Sequence, residues 1–136
     1  MQVVLVSDDG EEAGLVELKI HNTIFSAMNC LGYGESSQPC PVVGDTFEPE
    51  FTCLYDDDVN WNSMLMGNPQ EKMNLVKTGL WSYQVFGKVV SVSNSGDECM
   101  VDCGCCLLPA PIATDDSSYI GRYIEFKVSR LSVWRA

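Results

Sequence analysis

Basic residues are scarce in this chain: eight lysines and arginines stand against nineteen aspartates and glutamates, for a formal charge of −11. That deficit disfavours direct nucleic-acid binding, which draws its affinity from cations that displace the counterions condensed on phosphates. Histidine occurs once, at His21, so a Cys-His enzyme would depend on that single base. Nowhere does an apolar run approach the ~20 residues a spanning helix needs. The longest weakly polar stretch, Cys105 to Ala113, is broken by Pro109 and Pro111, and no membrane span is expected. The N-terminal Met1 to Val6, followed by Ser7-Asp8-Asp9-Gly10-Glu11-Glu12, lacks the basic and long apolar regions of a secretory signal. Neither G-x-x-x-x-G-K-[ST] nor G-x-G-x-x-G occurs, so phosphate cradles are missing, and so is the G-x-S-x-G of serine hydrolases. Seven cysteines cannot all pair within one chain. With no export signal, reduced thiols in a cytoplasm are expected.

What the chain does have is enough apolar material for a core: 46% of its 136 residues are hydrophobic and 10% aromatic, which argues against disorder and for one domain over residues 1–136. Leu15 to Ile20 alternates Val16, Leu18 and Ile20 against Glu17 and Lys19, the two-residue period of a half-wet strand. On that strand's extension His21 falls on the wet face, where it is more simply solvated than catalytic. Phe47 to Tyr55 sets Phe47, Phe51, Cys53 and Tyr55 on one side, and Pro49 makes the strand an edge or a bulged one. In Tyr83 to Val92 the apolar phase changes around Gly87, which predicts a bulge near Gly87-Lys88. Arg122 to Trp134 repeats the device at Ser129-Arg130, and Cys99 to Leu107 supplies a further strand after a hairpin turn at Asn94-Ser95-Gly96-Asp97.

A helix is predicted over Pro69 to Lys77, with Asn68 as its cap, Pro69 at the first position and Gly79 beyond its end. The spacing of Ile24, Phe25, Met28 and Leu31 favours a second, short helix. Five or six strands without regular strand and helix alternation argue against a doubly wound sheet. The expected class is mainly β: a small antiparallel barrel, OB-like or related, with one or two short helices.

Two constellations carry chemical interest. In Cys99-Met100-Val101-Asp102-Cys103-Gly104-Cys105-Cys106, a strand would place Cys99, Cys103 and Cys105 on one face and Cys106 on the other. These three are candidate metal ligands, but no second knuckle accompanies them, and buried cysteine commonly serves as a small hydrophobe. No cofactor is expected. The second constellation is electrostatic. Residues 1–71 hold thirteen acids and a single base, Lys19, whereas residues 72–136 hold six acids and seven bases. Within the acidic half, Asp56, Asp57 and Asp58 follow Tyr55 and precede Trp61. The triplet opens like a calcium loop, but Trp61 and Gly67 stand where such a loop needs Gly and Glu. Charge beside aromatics suits an interface in which Glu48, Glu50, Asp56, Asp57 and Asp58 steer and pair with Lys or Arg while Tyr55 and Trp61 anchor. The leading expectation is therefore a non-catalytic acidic binding protein of inhibitor or immunity type that docks a basic protein. An alternative is an OB-like barrel that takes a small ligand or oligomer, with Arg122, Lys127, Arg130 and Arg135 as its basic strip.

Overall fold

The alternation of Leu15–Ile20 sets the register of the first sheet. In a computed structural model describing residues 1–33, 39–56 and 58–136, this segment is β2, paired with β1 (Val3–Asp8) on one side and β3 (Thr23–Asn29) on the other. Two further strands, β4 (Thr46–Phe47) and β5 (Pro49–Leu54), and the C-terminal β11 (Arg130–Arg135) complete a six-stranded sheet in the order β4-β1-β2-β3-β11-β5. All its pairs are antiparallel except β3 with β11. The strands at its two ends, β4 and β5, are separated in the chain by Glu48 alone, so the sheet is drawn into a curled half-barrel. Pro49 does sit where the notched segment turns into an edge strand.

The second sheet contains β7 (Tyr83–Val92) paired with β10 (Tyr123–Val128) along one edge. Along its other edge run β6 (Asn74–Lys77) and then β8 (Cys99–Asp102), which in turn pairs with β9 (Leu107–Pro109). The protein is thus a mainly β, single-domain fold built from a half-barrel and a second sheet. Leu5, Val16, Leu18, Val85, Val89, Ile124, Phe126, Leu131 and Val133 join one continuous buried core. Among the described residues no helix is long and apolar enough to cross a membrane.

The phase changes have distinct causes. In β7 the register shifts between Val89 and Ser91, so the bulge falls at Val90 rather than at Gly87-Lys88. Gly87 stays in register opposite Ile124, and Val89 enters the core while Val90 is exposed. The slip at Ser129 is a change of sheet: β10 belongs to the second sheet and β11 to the first. Ser129 holds this crossing by donating both its amide and its hydroxyl to Leu54 O, at 2.9 Å each.

Both predicted helices are strands or turns, while the one α-helix among the described residues, α1 (Trp61–Met66), lies where none was predicted. Ile24, Phe25 and Met28 fall at helical spacing, but they lie on β3, where Phe25, Ser26 and Ala27 are buried in succession. The reason is that residues 78–82 cover this stretch: Ser26 Oγ donates to Leu80 O at 2.6 Å, and Tyr83 Oη both accepts from Ser26 N and donates to Ser26 O. Covered on both faces, the strand loses its two-residue alternation. His21 occupies the two-residue turn before β3, exposed and at φ 53°, instead of extending the face of β2.

In the segment after Asn68 the cap residue closes a loop. Asn68 Oδ1 accepts from Lys72 N at 2.8 Å, while Nδ2 donates to Lys72 O and across to Ile124 O. Glu71 at φ 56° then turns the chain out of any helical path. Asn68 is buried, and its removal would strand three backbone partners. Asn68→Ala is expected to cost about 1–2 kcal/mol, read as a lower midpoint in urea with an unchanged slope. A slope change instead would mean that the loop is not docked as described.

Candidate functional site

The acidic site is built on β5 and the chain that leaves it. Strand alternation sends Phe51 and Cys53 inward and Glu50, Thr52 and Leu54 outward. Glu48, Glu50, Asp56 and Asp58 are all exposed; Asp57 lies outside the described residues. Glu48 forms the one ion pair among the described residues, with the N-terminal ammonium at 3.0 Å. Glu50, Asp56 and Asp58 have no hydrogen-bond or ionic partner there, and Leu54, with 48% of its surface accessible, stands among them.

The two proposed anchors are engaged within the fold. Tyr55 is half-buried, meets Phe126 edge-on at 6.1 Å, and donates its hydroxyl to Pro109 O. Burial, reinforced by the neighbouring Cys53, pushes the Tyr55 hydroxyl far up from its ordinary value. Trp61 opens α1, whose cap is Asn60, not Asp58: Asn60 Oδ1 accepts from Ser63 N, and Ser63 Oγ accepts in return from Asn60 N. The Trp61 ring stacks on Tyr119, centroid to centroid at 4.0 Å and within 14° of parallel. Of the flanking methionines, Met64 is core and Met66 is 72% exposed.

Between this loop, α1 and β10 lies a cavity of about 430 Å³ whose lining includes Tyr55, Asp58, Ser63, Glu125, Phe126 and Lys127. Two carboxylates and one ammonium face it. Of the C-terminal bases, Lys127 lies on β10 and Arg122 directly precedes that strand, whereas Arg130 and Arg135 lie on β11 of the other sheet.

The cysteine run resolves differently from a single strand. β8 stops at Asp102, and residues 103–106 form the turn into β9. Cys103 N donates to Cys106 O at 3.1 Å and Gly104 N to Asp102 Oδ1 at 2.9 Å, with Gly104 at φ 95°. The turn brings Cys106 back beside Cys103, their sulfurs 3.6 Å apart, with Cys105 3.8 Å from Cys106. The sulfurs that gather are those of Cys103, Cys105 and Cys106; Cys99, buried at the start of β8, is not among them. Cys106 was missed because an unbroken strand puts it on the opposite face. The available signal was the C-x-x-C spacing of Cys103-Gly104-Cys105-Cys106 itself, which is the spacing of a tight turn. Hydrogen bonds from Cys103 and then Cys106 hold the Cys105 thiol well below its ordinary value, and the same bonds, with burial, push Cys103 and Cys106 up. His21 is not a member of this group.

No family model, curated protein or solved structure matches this chain.

Proposed function

We propose that this protein is a non-catalytic binding protein of inhibitor or immunity type, acting in the cytoplasm, that docks a basic protein through the acidic edge around β5. The observation that carries the reading is the set of exposed carboxylates, Glu50, Asp56 and Asp58, none of which forms an ion pair among the described residues, although Lys127 lines the same cavity as Asp58. Uncompensated charge on one edge attracts a basic partner at long range and raises its on-rate. The cavity next to Asp58 supports the same reading, since an Arg or Lys side chain entering it meets two carboxylates, Asp58 and Glu125, and the ring of Tyr55 against one ammonium, Lys127. Tyr55 and Trp61 act here by holding the acidic loop through Pro109 and Tyr119, and Leu54 supplies the exposed apolar contact. Asp57 belongs to the same proposed set by sequence.

The test is association with a Lys/Arg-rich peptide and with a small basic protein, followed by stopped-flow fluorescence across a salt series. Combining Glu50→Gln, Asp56→Asn and Asp58→Asn is expected to slow association about tenfold at low salt and to flatten the salt dependence. Unchanged rates in that variant would remove the proposal. The alternative of an OB-like barrel for a small ligand or oligomer rests on the same 430 Å³ cavity. It requires tryptophan fluorescence to respond to uncharged ligands or oligonucleotides in a way that salt does not abolish.

A further inference from the structure

We propose that Cys103, Cys105 and Cys106 form a three-thiolate site for a thiophilic d¹⁰ cation, Zn²⁺ or Cu⁺. A metal–sulfur bond of ~2.3 Å places the sulfurs of a tetrahedral centre about 3.8 Å apart, and those of a trigonal centre about 4.0 Å apart. The sulfur separations here are 3.6 and 3.8 Å, and all three sulfurs lie within 4.8 Å of one another. The thiols therefore already stand at ligand spacing, and the backbone sets it. The Cys103 N to Cys106 O hydrogen bond and the Asp102 carboxylate on Gly104 N close the turn through the backbone, and the Cys103 thiol also donates to Cys106 O at 3.0 Å, a proton that metal binding would displace. Gly104 is bound to its place by more than its φ, since a Cβ there would come within 2.8 Å of Met73 O.

The donor set decides the class of ion. Thiolates alone, with no carboxylate or imidazole in the group, suit soft cations and not Ca²⁺ or Mg²⁺. Access is one-sided: Cys103 and Cys106 are buried at 1% and 3% exposure, whereas Cys105 is half-buried and Gly104 beside it is exposed. An ion would enter past Cys105 and keep a position on that side for a fourth ligand or none. This site is independent of the acidic edge, and neither proposal needs the other.

The experiment is native mass spectrometry of the fully reduced, folded chain after exposure to Zn²⁺ alone and, separately, to Cu⁺ under anaerobic conditions. One ion per chain is expected. Uptake of Zn²⁺ indicates a tetrahedral centre completed by a fourth ligand, and uptake of Cu⁺ only indicates a trigonal one. Cys105→Ser, the least buried of the three, should weaken binding at least about tenfold, whereas Cys40→Ser and Cys99→Ala should leave it unchanged. A Cd²⁺ titration followed by thiolate-to-metal absorption gives a second reading on the unmodified chain, saturating at one equivalent. Failure of the folded, reduced protein to retain either ion overturns the proposal, and so does equal affinity in Cys105→Ser, with its fold verified by circular dichroism.

Discussion

Phe126→Ala is expected to lower the stability of the protein by about 3–5 kcal/mol, the usual range for deleting a buried aromatic ring. Phe126 is the largest fully buried side chain among the described residues, at 1% exposure, and it sits on β10 among residues drawn from both sheets. The surroundings cannot readily close over the void, because Phe126 is held in register opposite Val85 while its ring braces Tyr55. A second effect follows from that contact. Loss of the ring leaves Tyr55 without its edge-on neighbour and loosens the loop that carries Asp56 and Asp58. Chemical denaturation measures the first effect, and slower binding of a basic peptide under conditions where the variant is fully folded measures the second. A loss of less than about 1 kcal/mol would show that the two sheets do not meet at this ring.

Gly87→Ala should be nearly as costly, about 3 kcal/mol, although it adds a single methyl group. A Cβ at Gly87 would lie 2.6 Å from Asp102 O and 2.5 Å from a Val101 methyl. The carbonyl is backbone in the neighbouring strand, and it can withdraw only if β8 parts from β7 beside the bulge. The expected signature is faster amide exchange in β8, with β10, on the opposite edge of β7, less affected. Tolerance of alanine without exchange changes would mean that the strands are farther apart than described.

These two positions also show how far the sequence could be read. Strands with one wet face were legible: β2 follows its alternation residue for residue, and the hairpin from β7 to β8 turns where Asn94-Ser95-Gly96 suggests. Gly87 was correctly singled out, but for the wrong reason, since sequence cannot distinguish a glycine needed for close strand approach from one needed at a bulge. β3 was misread because burial on both faces erases the period that marks a strand. The segment after Asn68 was misread because a side chain that caps a helix satisfies a loop with the same hydrogen bonds, and only the Ile124 carbonyl, 56 positions along the chain, makes the difference. Acidity of the first half was legible as composition; its exposure on β5 and the engagement of Trp61 by Tyr119 depend on contacts between distant segments. The thiol cluster was half legible, as a run of cysteines whose turn was taken for straight chain.

The ends of the six-stranded sheet restrict how another molecule can join it. β4 is two residues long, and β5 begins at a proline that offers no amide. The remaining flank of β5 has β9 lying alongside it without ladder bonds, tethered where the Tyr55 hydroxyl reaches Pro109. A foreign strand therefore finds no long vacant row of amides and carbonyls to zip onto, which guards against edge-to-edge aggregation. Recognition at this end of the molecule favours side chains, and a partner that relies on backbone templating would first have to displace β9.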